Sequence, residues 1–409
     1  MKRKILVILL CAVMALSVLV GCNGGSDNNG GTPASGDTIK LVLWGAADDR
    51  EMLSEMVDAF KAEHRDKNYS IEIRVTGEDV ARDEALKDIE AAADVFAITN
   101  DQLGALVNAN AVYENTVYAD EIRQTRTEGS VTAATIDGKL YGFPSSSESY
   151  FLFYDKSKLT EDDVKSLESI LAKPQPSGVI KFGFDFSDAY FSSAFFMTAG
   201  CEIYGSDGQD PSTVTFNSDE GLEASRYIAK LKGMGAADLE GDVAGAQFKA
   251  GKLAAYVSGS WKTEAYTDAL GDDLGFAKLP TIKIAGEDRD MVSFSGGKMY
   301  VVKSTTEYPL EAMALANWLT NEENQIKRFK DRNMLPNYKS LAAEDDILSN
   351  PAAAAETAQF AHSVPTPSIT QISRYWDPVA AYTKDLFDGK IKDDQIRSKL
   401  DTLVSDITA

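Results

Sequence analysis

The side chains best placed for chemistry are three aromatics, two of them where strand-like runs give way to helices. Trp261 follows the apolar run Leu253–Val257 and the turn Ser258-Gly259-Ser260, just before a helical stretch. Tyr190 follows Lys181–Phe186 and Asp188 in the same way. Trp376 comes after Pro365 and Pro367, with Arg374 and Asp377 beside it. In an open α/β sheet, ligands meet the loops at the carboxyl ends of strands. An aromatic face packs on the apolar C–H face of a sugar-like ring, and carboxylates and amides take its hydroxyls. Taken singly, each ring could equally be a half-buried packing residue.

Other chemistries lack their signatures. There is no G-x-x-x-x-G-K-[ST] loop, no G-x-S-x-G elbow and no H-E-x-x-H. Gly296-Gly297 reads as a turn or hinge. Paired carboxylates for glycoside hydrolysis stay open, because 63 acidic residues make each one uninformative. Three Cys and two His are too few for a Cys/His zinc site or a Cys–His nucleophile. Cys201 ends an apolar run and reads as a small core residue. Asp207-Gly208-Gln209-Asp210 reads as a turn, not a calcium loop. No metal and no cofactor is expected. The net charge of −22 includes no block of Lys/Arg after residue 4, which disfavours nucleic-acid binding.

Alternating strand and helix patterns must position these residues. Ile39–Trp44 is a nearly continuous apolar strand. Asp48 and Asp49 then stand as caps before the helical stripe Met52, Leu53, Met56, Val57 and Phe60. Ile71, Ile73 and Val75 alternate as a strand, Glu84–Ala93 reads as a helix, Asp94–Ile98 as a buried strand and Leu103–Val107 as a helix. The second half repeats the rhythm. Lys181–Phe186 is strand-like and Tyr190–Ala199 helical. Ser218 caps a helix ending at Gly233, Ala246–Ala250 is a short helix and Thr263–Leu270 another. Pro309 opens a long helix, and the chain from Ala352 is mostly helical. The rhythm predicts an α/β fold with largely parallel sheets. About 370 residues exceed what one core usually serves, so two lobes are expected.

The N-terminus addresses the compartment. Lys2, Arg3 and Lys4 precede the apolar run Ile5–Val20, which is short for a membrane span and right for a signal segment. Leu19-Val20-Gly21-Cys22 resembles a bacterial lipobox, with cleavage before Cys22 and lipid on its sulfur. Residues 1–21 then form the signal peptide and 22–37, rich in Gly, Ser, Asn and Asp, a flexible tether. Loss of three basic residues with the signal takes the charge from −22 to −25. A diacyl group supplies the two chains that stable anchoring needs. The expected location is the extracellular face of the cell membrane.

From Ile39 to the C-terminus the chain resembles the bacterial extracellular solute-binding proteins (family 1) of the maltose/maltodextrin-binding type. The matching segments keep their order. They are Ile39-Lys40-Leu41-Val42-Leu43-Trp44, Asp94-Val95-Phe96 leading to Asn100-Asp101-Gln102-Leu103-Gly104, and Asp137-Gly138-Lys139-Leu140-Tyr141-Gly142-Phe143-Pro144. Next come Glu148, Tyr154-Asp155-Lys156, Asp188-Ala189-Tyr190-Phe191, Phe248-Lys249-Ala250-Gly251-Lys252, Gly259-Ser260-Trp261, Leu279-Pro280, Ala314–Asn321 and Gln371–Trp376. The resemblance implies a two-lobed periplasmic-binding-protein-like fold (class II). Residues 38–147 plus 297–336 would form the N-terminal lobe, and 148–292 plus 338–409 the C-terminal lobe. Crossings would fall near Ser147–Ser149, Val292–Gly297 and Met334–Leu341.

It also implies a site. Tyr190, Trp261 and Trp376 would stack sugar rings. Asp48, Asp101, Glu148 and Asp188 would take hydroxyls, and Trp44 would join them. Three positions depart from the family pattern: Ile98 stands where it has Trp, Gln102 where it has Arg, and Asp49 where it has Lys. The implied role is a monomeric, non-enzymatic binding lipoprotein that hands an oligosaccharide, foremost a maltooligosaccharide, to an ABC permease. Three other classes compete: a glycoside-active enzyme, a surface glucan adhesin, and the same fold serving another oligosaccharide or a non-sugar solute.

Overall fold

The computed structural model describes residues 38–409; the signal segment, Cys22 and the tether lie outside the described residues. Two mixed sheets form the two lobes. Their strands, in chain order, are β1 (Ile39–Gly45), β2 (Tyr69–Val75), β3 (Val95–Thr99), β4 (Phe143–Pro144), β5 (Glu148–Asp155), β6 (Phe182–Phe184), β7 (Ala236–Asp238), β8 (Ala255–Gly259), β9 (Leu274–Ala277), β10 (Ser293–Gly296), β11 (Lys298–Val302) and β12 (Ser363–Pro365). The N-terminal sheet has the order β2-β1-β3-β11-β4, and the C-terminal sheet β12-β10-β5-β8-β6-β7 with β9 also on β5.

The expectation of largely parallel sheets needs correction. β1 pairs parallel with β2 and β3, but β11 runs antiparallel to β3 and β4. In the second sheet β5 is antiparallel to β8, β9 and β10. The antiparallel pairs involve strands that carry the chain into or out of a lobe. A pattern of apolar runs does not report that direction.

Local readings differ at several ends. The helix expected at Glu84–Ala93 spans Ala81–Lys87. The helix after Ser218 spans Asp219–Met234 and stops at Gly235, whose φ of 104° suits glycine. Asp48 and Asp49 make no side-chain cap bond to helix Arg50–Glu63. Ser218 and Asp188 do cap their helices, accepting from Gly221 N and Tyr190 N.

Each lobe has its own core. Leu41, Leu43, Phe96 and Val301 pack with Leu53 and Phe60 in the first, and Leu152, Phe184, Phe195 and Ile228 pack together in the second. Helix Ala189–Ala199 is apolar on all sides, so it runs buried through the second core. Tyr190 is its one residue that is not buried. Cys201 is a buried free thiol, pushed up to about 12 by burial.

The lobes join where three segments cross side by side. The chain leaves β4 through Ser145–Ser147 into β5, returns from β10 through Gly297 into β11, and crosses again near Leu335, which bridges to Ser147. A Cβ on Gly297 would lie 2.1 Å from Ser146 O, so only glycine lets the first two crossings touch. Gln325 ties in the third. Its amide donates to Pro144 O (3.0 Å), Thr320 O (3.0 Å) and Asn337 Oδ1 (2.8 Å), and accepts from Asn337 N (2.8 Å). Gln325 is fully buried, so its loss would leave Asn337 N unpaired away from water. Gln325→Ala should lower the unfolding free energy by roughly 2–4 kcal/mol in urea titration. An unchanged midpoint would show that the crossings do not need this amide.

Candidate functional site

A cavity of about 460 Å³ lies between the lobes, against the crossings. Seven of the eight residues singled out from the sequence line it: Asp48, Asp101, Glu148, Asp188, Tyr190, Trp261 and Trp376. Trp44 does not. It sits on β1 with 9% of its surface exposed, packed against Phe96 in the first core at 5.7 Å between ring centres. An aromatic ending an apolar strand looks the same in sequence whether it turns into the core or the cleft, and this one turns inward.

The three rings belong to the C-terminal lobe. Tyr190 lies nearly parallel to Phe294 at 5.9 Å, and Trp376 meets the same Phe294 edge-on at 6.0 Å. Trp261 stands on the short turn after β8. Its ring folds back over Gly259, where a Cβ would fall 1.9 Å from a ring carbon. Gly259 therefore sets where the Trp261 ring lies, because any side chain there would displace it.

The N-terminal wall is polar. It presents Asp48, Asp49, Glu78, Asp79, Thr99, Asn100, Asp101 and Gln102, and no aromatic ring. Ile98, which stands where the family pattern has Trp, is fully buried in the core. Gln102, in place of an Arg, spends its amide on the loop behind the wall. It donates to Glu78 O (2.6 Å) and Asp79 O (2.9 Å) and accepts from Arg82 N (3.0 Å).

Electrostatics follow from burial. Lys298, the first residue of β11, lies 3.5 Å from Glu78 and 3.6 Å from Glu148. Burial pushes the Glu148 carboxyl up, Lys298 pulls it back and Glu78 pushes further; the Ser146 hydroxyl donates to it at 3.1 Å. Burial works against the Lys298 ammonium, but Glu148 and Glu78 outweigh it and hold its pKa above the usual lysine range. Burial raises the Asp101 carboxyl too, against the pull of Thr99, Arg82 and, from the other lobe, Trp376. Asp49 is buried and pairs with Arg332 at 2.9 Å and Arg328 at 3.6 Å. Arg332 also reaches Asp48 at 3.4 Å and, across the cleft, Glu264 at 2.8 Å. Glu264 is 63% exposed, so that last pair adds at most about 1 kcal/mol.

Lys298, Glu78, Asn100, Arg332 and Thr366 were not legible as site residues. Lys298 had one available signal, its place directly after Gly296-Gly297. The others reach the cleft only through the fold: Asn100, for example, donates to Thr366 O across the cleft at 3.2 Å.

Two α/β lobes on three crossings, with an aromatic wall facing an acidic one, define a cleft-type binding protein. The chain matches the family of bacterial extracellular solute-binding proteins over residues 55–355, and it belongs to that family. It is 30% identical to the galactooligosaccharide-binding protein of Bacillus subtilis (strain 168), over 95% of this chain and 94% of that one. It is 25% identical to the maltooligosaccharide ABC transporter solute-binding lipoprotein of Streptococcus pneumoniae (strain ATCC BAA-255 / R6), over 73% of this chain and 72% of that one. Among solved structures it is similar to the maltodextrin-binding protein MalE1 of L. casei BL23, with a TM-score of 0.81 and 28% identity over 91% of this chain and 100% of that one.

Asp188 offers a test of the cleft's electrostatics. Burial raises its carboxyl from 3.8 to about 6, the cap bond from Tyr190 N pulls it down, and Asp185 pushes it up. A folded value above the unfolded one gives stability that is complete below about 3.8 and lost as pH rises through about 6. Asp188→Asn keeps the cap and removes the titration. The variant should gain on the order of 2–3 kcal/mol over the native protein between pH 4 and pH 7.5, read by urea unfolding. Parallel pH profiles for the two proteins would contradict this.

Proposed function

We propose that this protein captures an oligosaccharide in the cleft and delivers it, unaltered, to an ABC permease. One observation carries the reading. Tyr190, Trp261 and Trp376 line one side of the same cavity whose other side offers Asp48, Asp101 and neighbouring carboxylates and amides. Rings take the C–H faces of sugars, and carboxylates take their hydroxyls. The cavity falls in the usual size range of ligand pockets. Closure of the lobes on the sugar excludes water, so an analogue lacking a hydroxyl leaves a buried acceptor unpaired and binds less well.

The ligand is a maltooligosaccharide, in line with the pneumococcal lipoprotein and the L. casei protein. All three C-lobe rings of the maltodextrin pattern are present. A second reading, a galactooligosaccharide, is favoured by the Bacillus relative and by the ring-free N-terminal wall. The protein works as a monomer without turnover, held at the outer face of the membrane by lipid on Cys22.

Isothermal titration with maltose to maltopentaose and with matched β-galactooligosaccharides separates the two. The glucose series should bind more tightly and remain chemically intact after incubation. Trp261→Ala should weaken binding ~10–100-fold, the worth of one ring at about 1.4 kcal/mol per decade, with little change in the melting temperature of the free protein. Tighter binding of the galactose series would favour the second reading, and cleavage of either would end the non-enzymatic one. Unfolding of Trp261→Ala would return that ring to a packing role. Cys22→Ala should appear in the medium or stay unprocessed, by fractionation and blotting; unchanged membrane retention would exclude the lipid anchor.

A further inference from the structure

Helix Pro351–Phe360 contributes no residue to the cleft wall, yet its side chains bond to β5 and β10, the strands on either side of the first two crossings. Two of its polar side chains, Glu356 and Gln359, are fully buried. Glu356 Oε1 accepts from Ser149 N at 2.8 Å and from Ser260 Oγ at 3.4 Å. Ser149 follows Glu148 on β5, and Ser260 precedes Trp261. One carboxyl oxygen thus holds both the strand bearing a cleft carboxylate and the turn bearing a cleft ring.

The bonding continues into the second crossing. Ser149 Oγ lies 2.8 Å from Ser293 Oγ on β10, which accepts from Gln359 Nε2 at 3.1 Å. The same amide donates to Met291 O at 3.0 Å. At the start of the helix, Asn350 donates to Asn333 Oδ1 at 3.0 Å, one residue before the third crossing. Every serine in the chain from Ser260 to Ser293 is buried.

A purely structural hydrogen bond would suit an amide or a hydroxyl better than a buried acid. Glu356 Oε2 has no partner among the described residues, and a buried polar atom left unpaired costs stability. Such a cost is tolerated where a group serves the site. Glu148, which lies in the cleft, acts on the Glu356 carboxyl, and Glu356 acts in turn on Tyr190, one of the cleft rings.

We infer that Glu356 is a positioning residue for ligand binding, acting through Ser260 on the Trp261 ring and through Ser149 on the Glu148 strand. The inference rests on the oligosaccharide reading, in which Trp261 stacks on the ligand. Burial pushes the Glu356 carboxyl well above the usual range, with the Ser149 bond pulling it down and Glu148 pushing it up. Glu356→Gln preserves an acceptor oxygen for Ser149 N and Ser260 Oγ. Glu356→Leu removes it at similar volume.

The test is a double-mutant cycle on maltotetraose affinity with Glu356→Leu, Trp261→Ala and both together, with Glu356→Gln as the conservative variant. Glu356→Gln should bind within about twofold of the native protein. Glu356→Leu should weaken binding ~10-fold or more, and this loss should largely vanish in the Trp261→Ala background. Should Glu356→Leu fail to fold, Ser260→Ala takes its place in the cycle, with a loss of about threefold that again vanishes without Trp261. A loss that persists in full beside Trp261→Ala would overturn the inference, as would native affinity in Glu356→Leu or Ser260→Ala. Native affinity in Trp261→Ala alone would instead refute the stacking reading beneath it.

Discussion

A charge taken out of water costs several kcal/mol unless it is paired, and the cleft is organised around that cost. Lys298 lies between Glu78 and Glu148 at the base of the cavity, where all three have little solvent. Asp49 is satisfied from behind by Arg328 and Arg332. These pairings offset the hydration that the carboxylates lose on burial. What they leave over is acceptor capacity on Asp101 and Asp188, which line the cavity with no ion-pair partner among the described residues. A neutral ligand rich in hydroxyl donors meets that surplus. An anion would meet repulsion from most of the wall.

The opposite wall solves a different problem. A ring that is to stack on a ligand must stay out of the core of its own lobe. Tyr190 does so as the single unburied position of an otherwise buried helix, set there by the Asp188 cap. Trp261 does so by folding over Gly259, and Trp376 by opening helix Trp376–Phe387 against Phe294. On the proposed reading, a sugar that meets aromatic faces on one lobe and hydroxyl acceptors on the other binds through both lobes. That dependence is what lets a ligand shift the equilibrium between open and closed forms.

The α/β class and the candidate rings were legible from local pattern, whereas the cleft between two lobes and the carboxylates Asp48, Asp101 and Glu148 came from the family resemblance. Strand-to-helix steps in an α/β chain mark the cleft rim, and Asp188, Tyr190 and Trp261 sit on such steps, while Trp376 opens its helix after a 3-10 turn. Trp44 was misplaced because a strand's last apolar residue carries no mark of which way it points. Asp49 was read as a helix cap and is an ion-pair partner, since Arg332 arrives from nearly 300 residues away. Lys298 and Glu356 owe their roles to neighbours distant in sequence, and only Lys298, directly after Gly296-Gly297, carried any local signal. The antiparallel pairs of both sheets were hidden for the same reason: strand direction is decided by the crossings, which only the assembled lobes define.

The central claim is that sugar rings lie against the aromatic wall of one lobe while their hydroxyls reach the carboxylates of the other. A crystal structure of the protein with maltotetraose tests it most directly. Sugar faces should lie at van der Waals contact with Tyr190, Trp261 and Trp376, and hydroxyls within hydrogen-bond distance of Asp48 and Asp101. Sugar bound elsewhere on the protein, or held in the cleft with those three rings turned away, would contradict it.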